Sequence, residues 1–172
     1  MIKDAKFYYE RGLENNRRDH YVDAVNDYTR AIRLNPSYAD AYIKRGMLCY
    51  KILKRYEEAL SDFDRAVELN PECAAAYLHR GVVKCHLLKF PEALIDFDRA
   101  IELDPNDERA YLNRGKNKYM LKYKEEEVLS DLEKALRLGA PQAADMFTLF
   151  YGENQNLMRE NIENKVKDKS SK

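Results

Sequence analysis

A five-residue phrase returns along this chain at a nearly fixed step. Tyrosine, three other residues and glycine occur as YYERG from Tyr8, YIKRG from Tyr42, YLHRG from Tyr77 and YLNRG from Tyr111, at steps of 34, 35 and 34 residues. A period of that length marks a copied supersecondary unit, which buries its apolar face by stacking on its neighbours. Such a chain is expected to build a row of like units rather than one layered core.

Each copy holds two helical patterns. Downstream of each glycine stand Ala24, Ala59, Ala93 and, in the fourth copy, Val128. Four residues on come Tyr28, Phe63, Phe97 and Leu132, and three further on Ala31, Ala66, Ala100 and Ala135. That rhythm places all three positions on one helical face. LNP ending at Pro36 and Pro71, and LDP ending at Pro105, close this helix, because proline pushes the residue before it out of the α region. The last copy reads LGAP, with Gly139 as the expected C-cap. The first helix begins after the proline and carries the Tyr-x-x-x-Gly phrase. Each copy is thus expected to be an antiparallel helical pair, with one extra residue in the connector of the second and fourth copies.

The order aromatic, glycine, alanine, aromatic, alanine, proline at this step resembles the tetratricopeptide repeat. The resemblance runs from Ala5 to Gln142 as repeats 5–38, 39–73, 74–107 and 108–142, leaving 143–166 for a capping helix or helices and 167–172 for a disordered tail. It implies an all-α fold, an α-solenoid of stacked antiparallel helix pairs forming a right-handed superhelix. The chain departs from the family at Val128, where a small alanine is usual, and in lacking the glycine often found between the two helices.

Glycine inside a helix costs about 1 kcal/mol relative to alanine, so Gly12, Gly46, Gly81 and Gly115 call for a compensating contact. Ala24, Ala59 and Ala93 on the second helices are the expected partners in that close approach. At the far end, Met146, Leu149, Phe150 and Leu157 are expected to cover the last apolar face, with Gly152 dividing the segment. The alternative is that MFTLFY, residues 146–151, is an exposed patch through which a homo-oligomer forms.

Thirty lysines and arginines balance thirty aspartates and glutamates, so no global field favours nucleic acid or a membrane. No apolar stretch is long enough to cross a bilayer, and MIKDAKFYYERG lacks the apolar run of a signal peptide, which gives a cytoplasmic expectation. The tyrosines recur mainly at repeating positions and no basic stripe accompanies them, so no nucleic-acid partner is expected. Cys49, Cys73 and Cys85 show no CxxC spacing, which argues against a disulfide framework or a zinc site. His79 and His86 are two turns apart, about 10.5 Å of rise, too far to share one ion. There is no G-x-S-x-G, phosphate-binding glycine loop or HExxH, so neither catalysis nor a cofactor is expected.

An arginine precedes each repeating glycine, namely Arg11, Arg45, Arg80 and Arg114, and an aspartate precedes each second-helix aromatic or its Leu132 equivalent, namely Asp27, Asp62, Asp96 and Asp131. The arginines read either as ligand contacts or as fixed ion-pair partners of the aspartates. Which aspartate meets which arginine is open at this level.

The resemblance further implies that the first helices line a concave side holding a peptide segment of a partner protein. In the family's frame the inward positions are Lys6, Tyr9, Glu10, Leu13 and Arg17, then Asp40, Ile43, Lys44, Met47, Tyr50 and Lys51. Ala75, Leu78, His79, Val82 and His86 follow in the third copy, and Arg109, Leu112, Asn113, Lys116 and Tyr119 in the fourth. Six bases stand there against two acids. A locally basic groove with apolar residues between the charges suits a segment with acidic residues or a free carboxylate plus apolar anchors. Some relatives grip the C-terminal carboxylate of the major cytosolic heat-shock chaperones with a clamp of lysine, asparagine and arginine. The matching positions here hold Tyr9, Leu13, Lys44, Ala75 and His79, or one copy later Ile43, Met47, His79, Arg109 and Asn113. Neither set reproduces the clamp, so that specificity is not carried over. The expected function is a non-catalytic protein–protein interaction adaptor or scaffold.

Overall fold

The structure, a computed structural model, describes the backbone from Lys3 to Tyr151 and the side chains as far as Thr148. Gly152, Leu157 and the remainder of the cap and tail lie outside the described residues, as do the side chains of Leu149 and Phe150. Among the described residues there are nine α-helices and no strand. They are α1 (Ala5–Arg17), α2 (Tyr21–Leu34), α3 (Ala39–Lys51), α4 (Tyr56–Leu69), α5 (Ala74–His86), α6 (Phe90–Leu103), α7 (Glu108–Met120), α8 (Glu125–Leu138) and α9 (Ala143–Tyr151).

Local chemistry sets these boundaries. Asp4 caps α1 by accepting the Phe7 N–H at 2.8 Å, and Asp107 caps α7 by accepting the Arg109 N–H at 3.0 Å. Before Pro36 and Pro71 the backbone leaves the helix, with Asn35 at φ −138°, ψ 93° and Asn70 at φ −141°, ψ 88°. The side chains of Asn35, Asn70 and Asp104 then reach over the proline to accept the N–H two residues on, at 3.0, 3.2 and 3.1 Å. Gly139, at φ 109°, ends α8 in the left-handed conformation.

The turn from first to second helix needs a left-handed residue in every pair, and the chain supplies Asp19, Lys54, Leu88 and Lys122, with φ between 56° and 60°. None is glycine. The next residue in each case donates its N–H back into the preceding helix, His20 to the Asn15 carbonyl, Arg55 to Cys49, Lys89 to Lys84 and Tyr123 to Lys118. The connectors at Lys54 and Lys122 are one residue longer than the other two, as the spacing in the sequence requires.

By internal packing the chain divides into two units, one ending at Leu103 and one beginning at Asp104. In the first, α1/α2, α3/α4 and α5/α6 form antiparallel pairs, α2 packs on α3 and α4 packs on α5. In the second, α7 pairs with α8 and α9 packs on α8. Phe147 is 1% exposed and joins the cluster of Leu129, Leu132 and Ala135, with Met146 half-buried beside it. The self-association reading of MFTLFY therefore loses Phe147 as a surface group.

The glycines are explained differently from the sequence expectation. A Cβ at Gly12 would stand 2.6 Å from Cε1 of Tyr28, and one at Gly81 2.7 Å from Cε1 of Phe97. At Gly46 the nearest atom is Phe63 Cζ at 3.1 Å, and at Gly115 it is Leu132 Cδ2 at 3.1 Å. The notch thus receives the large side chain of the second helix rather than the alanine four residues earlier. Ala24, Ala59 and Ala93 are wholly buried. Tyr28 is wholly buried as well, and its hydroxyl has no hydrogen-bond partner among the described residues.

Candidate functional site

Two sets of charged side chains lie on the first helices, one turned toward the partner helix and one not. The arginines preceding the glycines are structural. Arg11 grips Asp27 with both guanidinium edges, Nε at 2.8 Å from Oδ2 and Nη2 against Oδ1. Arg45 holds Asp62 at 2.9 and 2.6 Å, Arg80 holds Asp96 at 3.0 and 2.7 Å, and Arg114 holds Asp131 at 2.9 and 2.6 Å. Every pair joins the two helices of one hairpin, which answers the question the sequence left open. In the first unit two of these arginines also reach the preceding hairpin, Arg45 to the Thr29 hydroxyl at 3.0 Å and Arg80 to Asp64 at 3.0 Å.

One turn beyond each arginine the chain supplies a further donor in three hairpins of four. Asn15 donates to Asp27 at 2.9 Å, Lys84 lies 2.8 Å from Asp96 and Lys118 lies 2.9 Å from Asp131. The second hairpin has Cys49 there. Burial pushes the Asp62 carboxyl above the usual carboxylate range, and Arg45 only partly opposes the shift.

The groove residues named from the sequence divide into three groups. Tyr50 and His79, each 6% exposed, are core: the Tyr50 hydroxyl and His79 Nδ1 are 3.0 Å apart, and the His79 ring stacks on Phe63. Their assignment as surface contacts is corrected by that burial. Tyr9 and Leu13 are half-buried, Tyr9 against the Tyr38 ring with centroids 4.8 Å apart, Leu13 against the cluster of Ala24, Tyr28 and Leu48. Burial, with Asp40 and Tyr38 adding to it, raises the Tyr9 hydroxyl to about 12. Val82 packs partly buried on the core of the second and third hairpins, and exposed His86 stacks on Tyr56 at 4.7 Å.

The bases differ in a way the sequence did not show. Lys6 lies 3.8 Å from Glu10, Arg17 lies 2.8 Å from Glu14, and Arg109 lies 2.7 Å from Asp107. Lys44 and Lys116 make no ion pair among the described residues. Arg109, Asn113 and Lys116 share α7 in the second unit, where Asn113 donates to the Arg109 carbonyl at 2.8 Å.

Lys44, Met47 and Lys51 come together in a pocket of about 280 Å³ on the first unit, with Asn16, Tyr21, Leu48 and Ile52. Its lining contains two bases and no carboxylate. The other pockets described each contain at least one acid: Glu57, Asp64 and Glu68 in the largest, and Glu125, Glu58 with Asp62, and Asp23 with Asp27 in the rest. Leu48 and Ile52 were legible as the positions four and eight residues after Lys44 on the same helical stripe. Asn16, three residues after Leu13 on the stripe of α1, was legible in the same way, whereas Tyr21 carries no such signal, because it opens α2 after the turn at Asp19.

No group of three or more metal-binding side chains exists among the described residues, and no helix there is long and apolar enough to cross a membrane. Stacked helical hairpins with interlocking glycine notches and an interhelical arginine–aspartate pair in each define an all-α repeat protein of the solenoid class. A model of the tetratricopeptide repeat family matches residues 9–66 and 53–108, together more than half of the chain. The chain belongs to that family, whose fold is generally a protein-interaction module.

Among curated proteins, "Uncharacterized protein MJ0572" of Methanocaldococcus jannaschii is 39% identical over 56 residues, 33% of this chain and 64% of that relative. The chain thus spans less than two thirds of that relative's length. Among solved structures, the first such domain of Spaghetti (RPAP3) bound to HSP90 peptide SRMEEVD superposes with a TM-score of 0.67 at 28% identity, covering 72% of this chain and 100% of that one. YrrB, described as having an unusual peptide-binding site, superposes with a TM-score of 0.74 at 26% identity, covering 84% and 74%.

Proposed function

We propose that this protein is a non-catalytic adaptor that binds a peptide segment of a partner protein through the face carrying Lys44, Met47 and Lys51. The observation that carries the reading is the acid-free lining of that pocket in a chain whose total charge is zero. Its Met47, Leu48 and Ile52 offer apolar contact between two cationic heads, which matches a segment with acidic and apolar residues. The solved relatives add support: SRMEEVD, the peptide bound to Spaghetti (RPAP3), mixes acidic with apolar residues. The clamp positions of this chain do not reproduce the grip on a chaperone tail, so the partner class is kept to acidic and apolar segments in general.

The test is an immobilised panel of acidic–apolar peptides read against the full chain. Replacing Lys44 and Lys51 by glutamate together should abolish capture and leave far-UV helicity unchanged. Affinity of the parent should fall as salt is raised, because salt screens charge pairs formed at the surface. Undiminished capture by the double variant would move recognition to another surface.

A further inference from the structure

We propose that the second hairpin carries a binding site for one primary ammonium group, held against the buried Asp62 carboxylate at the place where the other three hairpins supply a donor of their own. The site shares no lining residue with the face proposed for peptide binding and stands independently of that reading.

The four hairpins supply the comparison. Each sets an aspartate of its second helix against the arginine before its glycine, and three of them add a further nitrogen three residues after that glycine: Asn15 at 2.9 Å from Asp27, Lys84 at 2.8 Å from Asp96 and Lys118 at 2.9 Å from Asp131. In two of these three the nitrogen is an ammonium. Cys49 takes the position in the second hairpin, and a thiol is too weak a donor to replace it. Asp62 is 4% exposed, and among the described residues its carboxylate accepts from Arg45 alone, although an ionised carboxylate offers about four lone-pair sites. That shortage of donors accompanies a carboxyl which burial pushes above the usual carboxylate range.

A cavity of about 290 Å³ lies over the vacant position, with Cys49 and Asp62 at its buried end and Glu58 and Ser61 at its exposed mouth. Glu58, Ser61 and Asp62 stand at i, i+3 and i+4 of α4, so they share one stripe and offer acceptors for the three N–H groups of an ammonium. Val25, half-buried on α2, gives an alkyl stem its apolar wall. The charge agrees with this ligand. The cavity holds one base, Arg45, against two acids, whereas the corresponding cavity of the first hairpin holds Arg11 and Arg30 against Asp23 and Asp27. Arg55 meets Glu58 at 3.6 Å outside the lining, where solvent weakens the pair. A lysine side chain of another protein and a free linear amine carry the same group.

The experiment is a nuclear magnetic resonance titration of the full, isotope-labelled chain under reducing conditions, with n-butylammonium or tetramethylammonium at constant ionic strength. n-Butylammonium should shift the backbone amides of residues 49 and 62 saturably and bind about tenfold more tightly than tetramethylammonium, which keeps the charge and lacks the N–H donors. Acetylated and amidated peptides holding one lysine or one norleucine in an alanine–serine background separate the two sources. A response to the lysine peptide assigns the site to a partner side chain, and a response confined to n-butylammonium assigns it to free amines. Cys49→Lys supplies the missing group from within, so it should abolish the response and raise the melting temperature. Lys84→Cys vacates the same position in the third hairpin and should add residues 84 and 96 to the responding set, which keeps the proposal testable where one variant fails to fold. Equal affinity for the two cations, shifts spread evenly over the surface acids, a response that survives Cys49→Lys, or none at residue 96 in folded Lys84→Cys would overturn the site and leave the adaptor reading standing.

Discussion

Lys44 and Arg45 are neighbours in sequence, carry the same charge and sit on the same turn of α3, yet they belong to different parts of the molecule. Arg45 turns toward α4 and is consumed by Asp62 and Thr29. Lys44 turns toward α1 and α2 and meets no carboxylate. One rotation of about 100° along a helix separates a charge that holds the hairpin together from a charge left for a partner. Recurrence in the sequence tracks this division: the arginine appears in all four hairpins, whereas lysine at the preceding position appears only in the second, the others having Glu10, His79 and Asn113. The repeats serve as an internal control, in which what is copied is structural and what is single is available for specificity.

The division fails if the two kinds of charge respond alike to removal. Asp96 is the severest case, because it is 1% exposed and satisfies Arg80 and Lys84 at once. Asp96→Ala leaves both cations without their buried partner and should cost about 3–5 kcal/mol in chemical denaturation. Lys44→Ala, on the unpaired side, should stay within about 0.5 kcal/mol of the parent. Comparable losses in the two would erase the distinction.

A second break compares notches. Gly81→Leu drives side-chain atoms into the Phe97 ring, which would already stand 2.7 Å from a Cβ and has no solvent to retreat into. A loss of about 1–3 kcal/mol is expected from such overpacking. An unchanged thermal midpoint would show that the hairpin closes without the notch. Next in size, Tyr28→Phe removes the buried hydroxyl that has no partner and restores the phenyl ring found at positions 63 and 97. It should stabilise by about 1 kcal/mol, the cost of an unmet buried polar group. A loss instead would indicate that the hydroxyl is satisfied in solution.

The hairpins were legible because their periodic residues obey local rules: proline fixes the residue before it, and apolar positions four and three apart share a face. The arginine and aspartate series were legible as sets but not as pairs, since a match across two helices depends on their rotation about one another. Tyr50 and His79 were misplaced for the same reason, a helix face narrow enough that a few tens of degrees moves a side chain from surface to core. Asn16 was overlooked although it stands three residues after Leu13 on α1, whereas Tyr21 was invisible as a pocket residue because a three-residue turn delivers it to Lys44. The position of Tyr21 follows from the left-handed residue at Asp19, where the sequence offers no glycine to announce it.

That turn gives the smallest and most discriminating test of the comparison between copied and single positions. The left-handed residue is Asp19, Lys54, Leu88 or Lys122 in the four hairpins, so the backbone conformation is copied while the side chain is not. A non-glycine residue there is strained by roughly 1–2 kcal/mol, and a glycine returns roughly 0.4–1 kcal/mol of that by loosening the unfolded chain. Lys54→Gly and Lys122→Gly should therefore gain about 0.5–1 kcal/mol in thermal unfolding. Asp19→Gly should gain less, because aspartate already enters this region more readily than most residues. Leu88 is 74% exposed, so Leu88→Gly surrenders little burial and should match the lysine variants. A net loss at Leu88 alone would mean that its side chain contributes contacts the other turns lack, and would move residue 88 from the copied scaffold to the set of single positions.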